Sequence, residues 1–407
     1  MANTILTPTA VTRKALAILH NKLVFAKTIN RQYDSSFANE GGKIGTTLKI
    51  REPNQFAVRT GAVIDTQDVS ETSQTLTVAT QKGVDVSFSS VELTMSMDDF
   101  SERILEPAMS RLAAEVEKDA LEDMMPDVYN HTGTAATTPA SLTAVLNGGV
   151  RLAQGLAPSA DRHLLLDPVA MAATTASVAA YFQKASEIER AFSEGYIGRA
   201  SGFKWWESAM VPSHTNGTRT DTTPVVNTST GITSGTAVIT MTAFADGTTY
   251  TVGDVFTVAD VYAVNPETKQ VYSHLQQFTV TAAETETGSG DMSPAVSPTP
   301  ITSGAKQNVS LVSAGAGKAV LNLTAGGSGA ASATYTQNLA YHKDAFTLVT
   351  ADLEMPKSVW GSRQVFDGIS LRLVRDYDIV NDKHPARFDV LYGYKTLRPE
   401  WACRVRG

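Results

Sequence analysis

The chain has 407 residues, of which 42% are hydrophobic and 18% charged, with a formal net charge of −7. These values predict a globular protein of more than one domain, and the negative charge argues against a protein that wraps nucleic acid by counterion release. The single cysteine, Cys403, excludes an intramolecular disulfide and a multi-cysteine metal site, and no apolar stretch approaches the roughly 20 residues of a membrane span.

Residues 1–33 form a basic segment that contains no Asp or Glu. Thr7-Pro8 predicts a helix start, and apolar residues then follow at helical spacing. Segments of one charge sign often bind partners, so this arm is predicted to dock on an acidic partner or a neighbouring subunit. An ordinary surface helix fits the pattern equally well. The apolar run after Arg13 and Lys14 ends too early for a signal peptide, and we expect the protein to be made and kept in the cytoplasm.

Residues 43–92 alternate in the manner of strands, at 47–51, 75–79 and 84–88. The intervening stretch is polar and carries Asp65, Asp68 and Glu71. One interpretation is a long two-stranded hairpin whose tip lies in solvent. Such a hairpin is only marginally stable alone, so it would need a surface, such as a neighbouring subunit, to lie on. Strands of an ordinary sheet are the alternative.

A long helix is predicted next, because apolar residues recur at i, i+3 and i+4 between Leu105 and Ala120. Ser96 and Asp99 resemble a capping box, Pro107 marks a kink or a first turn, and Pro126 ends the element. Residues 134–212 then predict α/β packing: a helix over 142–156, a buried strand over 163–166, a helix from Asp167-Pro168, with Asp167 as its cap, and a helical pattern over 182–192.

The amino-acid composition changes over residues 216–337, which are dominated by Thr, Ser, Gly, Ala and Val. Turn signals separate six predicted short strands, at 237–241, 255–258, 261–264, 277–280, 309–312 and 319–323. This pattern predicts a small all-β barrel or sandwich inserted into a larger α+β domain, with a flexible loop over 285–300. Acidic residues outnumber basic ones here, which argues against a nucleic-acid-binding barrel.

No catalytic, cofactor-binding or metal-ligating constellation is found. Gly317-Lys318 lacks the Ser or Thr of a phosphate-binding loop, since Ala319 follows. No two His residues stand at i and i+4. The acidic cluster at 376–382 is predicted to be a turn, and Cys403 a buried small hydrophobe. An enzyme is therefore disfavoured, and we expect neither a cofactor nor a metal.

Four stretches resemble the major coat proteins of the P22-like tailed bacteriophages, which have the HK97 fold. They are the opening Met1-Ala2-Asn3-Thr4 with the basic arm, Met97-Asp98-Asp99-Phe100 leading from the strand pair into the long helix, 253–269 (GDVFTVADVYAVNPETK), and 338–346 (NLAYHKDAF) running on to Leu353-Glu354-Met355-Pro356. The similarity extends over essentially the whole chain.

The resemblance implies an α+β, HK97-like coat fold with an inserted small all-β barrel domain. Residues 1–42 would be the N-terminal arm, 43–92 the E-loop and peripheral-domain strands, 93–133 the spine helix of the peripheral domain, and 134–215 the axial domain. Residues 216–337 would be the inserted domain, and 338–407 would complete the axial and peripheral domains.

The same resemblance implies a major capsid protein that self-assembles as hexamers and pentamers into an icosahedral shell around double-stranded DNA. Its implied partners are a scaffolding protein in a procapsid that expands on packaging, a portal protein at one vertex, and DNA contacted non-specifically, with no membrane. The implied location is the virion capsid, assembled in the host bacterial cytoplasm. The candidate assembly-interface residues are Arg13, Lys14, Lys22, Arg59, Asp65, Asp68 and Glu71.

Two other hypotheses remain open at this point. A secreted or surface β-rich adhesin would explain the Thr/Ser/Gly-rich segment, but it is disfavoured by the missing signal peptide and by the long helix ahead of that segment. A hydrolase with a β accessory domain would need a catalytic constellation, and none was found.

Overall fold

The computed structural model describes residues 8–34, 46–56, 58–64, 66, 71–89, 101–134, 136–178, 199–218, 224–312, 315–322, 331–356, 359–380 and 383–407. Several expectations lie outside the described residues: the opening 1–4, the capping box at Ser96 and Asp99 with the neighbouring 97–100, and the helical pattern over 182–192.

The helices follow the local signals in the sequence. They are α1 Pro8–Lys22, α2 Phe25–Thr28, α3 Glu106–Met124, α4 Leu142–Gln154 and α5 Pro168–Val178, with a π-helical turn at Ser101–Leu105 and 3-10 turns at Lys343–Ala345 and Pro399–Trp401. α1 contains Pro8, which was predicted at the first helical position, where proline is favoured, and the predicted cap Thr7 lies outside the described residues. Pro107 lies in the first turn of α3, which decides between the two alternatives for that residue. Asp167 was predicted to cap α5, but its Oδ1 atom is buried and has no hydrogen-bond partner among the described residues. This oxygen therefore does not cap the helix.

Strands make up most of the remaining regular structure. The first nine are β1 Asn30–Asp34, β2 Thr46–Arg51, β3 Ser73–Val78, β4 Thr80–Ser89, β5 His131–Thr132, β6 Arg162–Leu166, β7 Arg199–Ala200, β8 Phe203–Glu207 and β9 Ser213–Thr215. The next nine are β10 Val225–Val226, β11 Met241–Thr242, β12 Thr249–Tyr250, β13 Val255–Val264, β14 Val271–Val280, β15 Glu284–Thr285, β16 Val296–Ser297, β17 Val309–Leu311 and β18 Val320–Asn322. The rest are β19 Thr334–Thr336, β20 Asn338–His342, β21 Phe346–Ala351, β22 Trp360–Phe366, β23 Ile369–Arg375, β24 Lys383–Thr396 and β25 Ala402–Val405.

The first compact unit comprises residues 1–52, 73–121 and 346–397. Its main sheet has the order β1-β21-β24-β23-β22, and β4 also pairs with β24 along ten residues. β2 and β3 form a separate antiparallel pair whose apolar side, including Leu76 and Val78, packs with Val349 and Leu391 in one buried cluster. The predicted strand pair therefore exists, and its base packs on the main sheet of this unit.

The second compact unit comprises residues 53–72, 122–345 and 398–407. Its mixed sheet has the order β5-β25-β20-β6-β8-β7, so β25 lies between β5 and β20. Val145 and Leu152 of α4 pack on Phe203 and Cys403 in the core beside this sheet. Cys403 is fully buried, as predicted, and Asp376 with Asp378 lies in the turn between β23 and β24 of the first unit, also as predicted.

Residues 225–322 form a β structure with a hydrophobic core of its own. Its five-stranded sheet has the order β16-β14-β13-β17, with β18 also on β13, and every buried member of its core cluster lies between Val226 and Val320. The two strands predicted over 255–258 and 261–264 are one strand, β13, with a register shift at Asp260, where φ is 63°. β16 lies inside the predicted loop over 285–300 and pairs with β14. The assignment of 216–337 as a separate domain stays a prediction.

Candidate assembly surfaces

The exposed side of α1 carries the cationic residues predicted for the arm. Val11, Ala15, Leu16, Ile18 and Leu19 are buried on one side of the helix. Arg13 and Lys14 are exposed on the other side, together with Ala17 and Asn21, because these positions share one arc at 100° per residue. Lys22 is also exposed, but it lies at the last residue of the helix and on a different part of its circumference. The structure thus brings Arg13 and Lys14 together and leaves Lys22 apart.

The turn between β22 and β23 helps to hold α1 in the first unit. His20 Nε2 lies 2.9 Å from Asp367 Oδ2, and Arg31 Nη1 lies 2.6 Å from the same oxygen. The His20 ring also meets Phe366 edge-to-face at 5.0 Å. Burial opposes ionisation of Asp367, but the hydrogen bonds from His20 and Arg31 hold its pKa below the usual range. The cationic face of α1 is therefore presented by a helix with a fixed packing.

The stretch between β2 and β3 is the second predicted surface. Arg59 is exposed, and its guanidinium donates to the backbone oxygen of Gly61. Glu71 is exposed next to β3, and Asp65 and Asp68 lie outside the described residues. The assignment of Arg59, Asp65, Asp68 and Glu71 to an assembly interface therefore stays a prediction.

This stretch also presents apolar side chains that the sequence analysis did not single out. Val58 is 96% exposed, and Phe56, Val63 and Ile64 are exposed as well. Exposed apolar side chains make this stretch a further candidate for a contact with another molecule. The signal that could have found them is the apolar pair Val63-Ile64 inside a segment interpreted as polar.

Two more exposed apolar groups were missed. Tyr377, Ile379 and Val380 are exposed in the turn between β23 and β24 of the first unit. In the second unit, Leu146 and Val150 are exposed one turn apart on α4. The first group lies in the stretch 376–382, which was predicted to be a turn, and the second lies in the helix predicted over 142–156.

A buried arginine, also missed, joins β25 to the β structure of residues 225–322. The Arg404 side chain is 0% exposed. Its Nη1 donates to the backbone oxygen of Gly253 at 2.7 Å, its Nη2 to Thr279 Oγ1 at 3.2 Å, and its Nε to the backbone oxygen of Val128 at 2.8 Å. Burial lowers the pKa of Arg404 to about 10, so the side chain stays charged at neutral pH. A buried cation held by neutral acceptors fixes these segments together.

Two side chains of β14, Gln277 and Thr279, add further hydrogen bonds. Together with Arg404 they form the set of contacts that we call the seam. Gln277 accepts from the backbone N–H of His131 at 2.7 Å and donates to the oxygen of His131 at 2.9 Å. Thr279 Oγ1 donates to the backbone oxygen of Pro126 at 2.9 Å. β14 is thus bonded through its side chains to the segment 126–131, within the second unit.

Asp254 organises the start of β13 nearby. It is 1% exposed and accepts from His214 Nε2 at 3.0 Å, from the N–H of Gly217 at 3.0 Å, and from the N–H and hydroxyl of Thr251 at 2.9 and 3.1 Å. Burial opposes ionisation, but the hydrogen bond from His214 and the backbone amides keep the pKa of Asp254 below its usual range. Burial also lowers the pKa of His214. The pair is therefore a carboxylate with a neutral imidazole, and its geometry is structural.

Neither a metal site nor a membrane span emerges from the described part of the chain. Its His, Cys, Asp and Glu side chains form no group of three able to hold a metal ion. No helix in this part is both long and apolar enough to cross a bilayer.

Comparison with known families decides the identity of the chain. The model of the P22 coat protein family, described as gene protein 5, matches residues 2–405. The chain belongs to this family. It is a structural capsid protein of a phage virion and has the HK97-like coat fold, as the sequence resemblance indicated.

Solved structures that match most of the chain are distant in sequence. A chain of Mycobacterium phage Che8 is 12% identical, with 94% of this chain and 90% of that chain covered and a TM-score of 0.45. The capsid of the cyanophage P-SCSP1u is 11% identical, covering 94% and 88%, with a TM-score of 0.44. The capsid of Staphylococcus phage Andhra is 10% identical, covering 94% and 83%, with a TM-score of 0.38. A search among curated proteins finds no match.

Proposed function

We propose that this coat protein self-assembles as hexamers and pentamers into an icosahedral shell that encloses double-stranded DNA. The observation that carries the proposal is the family match over residues 2–405. The distribution of exposed apolar side chains supports it. They occur at Phe56–Ile64, at Tyr377–Val380 and on α4, and several separate contact patches suit a subunit with several neighbours.

The assembly route belongs to the same proposal. An internal scaffolding protein directs a procapsid, which expands as DNA is packaged through a portal at one vertex, and the subunits assemble in the host cytoplasm. The exposed face with Arg13 and Lys14 supports an acidic docking partner, because a fixed cationic surface attracts an anionic one. The net charge of −7 suits a shell that encloses DNA without binding it tightly.

The residues 216–337 are proposed to support folding of the subunit and contact between capsomers. The seam formed by Arg404, Gln277 and Thr279 supports the folding role, since it gives the segments on both sides of the insertion a common set of hydrogen bonds.

Electron microscopy of the expressed protein tests this function. We expect closed shells when the protein is produced with the scaffolding protein of the same phage, and irregular shells or aggregates without it. A monodisperse small species under both conditions, with intact folding by circular dichroism, would overturn the proposal.

A further inference from the structure

Asn216 and Gly217 follow β9 in the second unit, and both residues are buried. The chain has one other Asn-Gly pair, Asn147-Gly148 in α4. In such a pair the backbone nitrogen of the glycine can attack the amide carbon of the asparagine side chain, because glycine has no side chain to hinder the approach. The groups that surround Asn216 and Gly217 determine whether this reaction is helped in the folded subunit.

The Gly217 nitrogen faces a buried carboxylate. Its N–H donates to Asp254 Oδ2 at 3.0 Å, and Asp254 is 1% exposed. Burial opposes ionisation of Asp254, but the hydrogen bonds from His214, Thr251 and Gly217 keep its pKa below the usual range, so the group is ionised at neutral pH. A carboxylate that already accepts this N–H is placed to take its proton when the nitrogen attacks.

The close approach of Asp254 depends on the glycine. A Cβ atom at position 217 would lie 2.9 Å from Asp254 Oδ2 and would overlap the backbone oxygen of Thr249. The carboxylate therefore lies against Gly217 in a way that a residue with a side chain would prevent.

The Asn216 amide oxygen meets a hydroxyl group. Tyr335 donates its O–H to Asn216 Oδ1 at 2.5 Å. Attack on the amide carbon turns this oxygen into an anion, and a hydroxyl that is already aimed at the oxygen stabilises the new charge. The Arg406 guanidinium carbon lies 3.8 Å from the centre of the Tyr335 ring, so a buried cation adds to this stabilisation. The nitrogen that attacks thus faces a base, and the oxygen that becomes charged faces a donor.

We propose that Asn216 is a site of spontaneous deamidation, in which the Gly217 nitrogen closes a succinimide ring on Asn216 Cγ with Asp254 as the base and Tyr335 as the donor to the oxygen. The bond that forms joins the Gly217 nitrogen to Cγ, and the bond that breaks joins Cγ to the side-chain nitrogen. The proton of Gly217 passes to Asp254 and then to that nitrogen, which leaves as ammonia. Water then opens the ring to aspartate or isoaspartate. The inference concerns the subunit itself and does not depend on the proposed assembly route.

The charges in this part of the second unit favour the acidic product. The side chains of Arg404 and Arg406 are each 0% exposed, and the three side-chain nitrogens of Arg406 have no hydrogen-bond acceptor among the described residues. Burial lowers the pKa of Arg406 to about 10, so it stays charged at neutral pH. Both cations interact with the one carboxylate of Asp254. Conversion of Asn216 to an acid adds a second negative charge beside Tyr335, on which Arg406 stacks.

Peptide mass spectrometry of the full-length subunit tests the site. The folded protein and the protein unfolded in guanidinium chloride are incubated at the same pH and temperature, and peptides with Asn216 and Asn147 are followed for loss of ammonia and for isoaspartate. In the unfolded chain the two pairs should react at similar rates. In the folded chain we expect Asn216 to react about tenfold or more faster than when unfolded. Asn147 should react about tenfold or more slower, because α4 holds the Gly148 nitrogen in a helical hydrogen bond.

Two substitutions test the roles of the neighbouring groups. Tyr335→Phe keeps the ring beside Arg406 and removes the hydroxyl, and Asp254→Asn removes the base. Each should slow the reaction of Asn216 about tenfold or more. Tyr272→Phe is the matched control, since it removes a hydroxyl that bonds to Gln154 in the same unit, and it should leave the rate unchanged.

The proposal is wrong if Asn216 reacts more slowly in the folded protein than in the unfolded chain. It is also wrong if either test variant, shown to be folded by circular dichroism, reacts as fast as Tyr272→Phe. The first comparison uses only the unmodified protein, so it decides the matter even if a substitution prevents folding.

Discussion

The Arg404 Nη1 atom donates to the backbone oxygen of Gly253 at 2.7 Å, and this bond joins β25 to the segment ahead of β13. The guanidinium serves Val128 and Thr279 as well, so its removal would leave several buried acceptors without a donor. Each such acceptor costs about 1–3 kcal/mol. We expect Arg404→Met to lower the free energy of unfolding by roughly 2–4 kcal/mol, measured by urea denaturation.

A control for this substitution is Arg398→Met in the same unit. Arg398 lies over the Trp401 ring at 4.1 Å and is only partly buried, so its loss should cost about 1 kcal/mol or less. Equal losses in the two variants would contradict the role assigned to Arg404.

Deletion of 216–337 tests the seam as a whole. β9 pairs with β19, with Thr215 opposite Thr334 and Ser213 opposite Thr336, so the chain leaves and re-enters this segment at neighbouring positions. The deletion removes β19, and a short Gly-Ser link would join Thr215 to Asn338. The deletion removes Gln277 and Thr279 and exposes the backbone groups of Pro126 and His131 that they serve. We expect aggregated or poorly assembling subunits. Normal shells in electron micrographs of the deletion variant would refute this prediction.

The parts of the fold that could be predicted are those set by neighbouring residues. The helix α1, the pairing of β2 with β3, and the turn at Asp376 and Asp378 follow from helical periodicity, alternation and turn residues that act over a few positions. The sequence pattern predicted two strands, at 255–258 and 261–264, with Asp260 between them. The structure instead absorbs it as an irregularity with φ of 63° inside β13.

The parts that could not be predicted depend on distant partners. Arg404 and Gly253 are 151 positions apart, and the hydrogen-bonded Tyr335 and Asn216 are 119 apart. Nothing in the local sequence of Arg404 distinguishes it from an exposed arginine, and only burial among acceptors makes it structural. Val58 and Ile64 show the converse, since apolar side chains stay exposed where no part of the described subunit covers them. Of the candidate site, the exposure of Arg13 and Lys14 could be predicted from helical periodicity. The apolar pair Val63-Ile64 is visible in the sequence, but its exposure depends on what the rest of the subunit covers.

Gly393 controls how closely β3 lies on β24. A Cβ atom there would fall well inside contact distance of the backbone oxygen of Thr77, which cannot move without displacing β3. We expect Gly393→Ala to destabilise the first unit by about 2 kcal/mol or more and to loosen the β2–β3 pair. Increased hydrogen exchange of 73–78 would check this. Gly202→Ala, at φ of 84° with open space around it, should cost only about 1 kcal/mol of backbone strain.

His163 is predicted to contribute to acid sensitivity. Burial lowers its pKa to about 4, and its Nδ1 accepts a hydrogen bond from Trp206 Nε1 at 3.0 Å. In the unfolded chain His163 takes up a proton near pH 6.5, whereas in the folded chain it does so only near pH 4. The free energy of unfolding therefore falls as the pH drops from about 6.5 to about 4. In His163→Asn, the loss of unfolding free energy between pH 7 and pH 5 should be smaller than in the unmodified protein. His384→Asn serves as the control, and an equal loss in His163→Asn and the unmodified protein would refute the assignment.

Charge reversal on α1 tests the docking face. Arg13 and Lys14 are exposed and share one arc of a helix whose opposite side is buried, so Arg13→Glu with Lys14→Glu should leave the free energy of unfolding within about 0.5 kcal/mol of its original value. An acidic partner would then meet like charge, and we expect at least a tenfold loss in the yield of shells assembled with the scaffolding protein. Lys383→Glu with Lys395→Glu changes the net charge equally on exposed positions of β24. Sedimentation of assembly reactions measures the yield. If both pairs lower it to the same extent, net charge accounts for the effect and the face of Arg13 and Lys14 is not the docking surface.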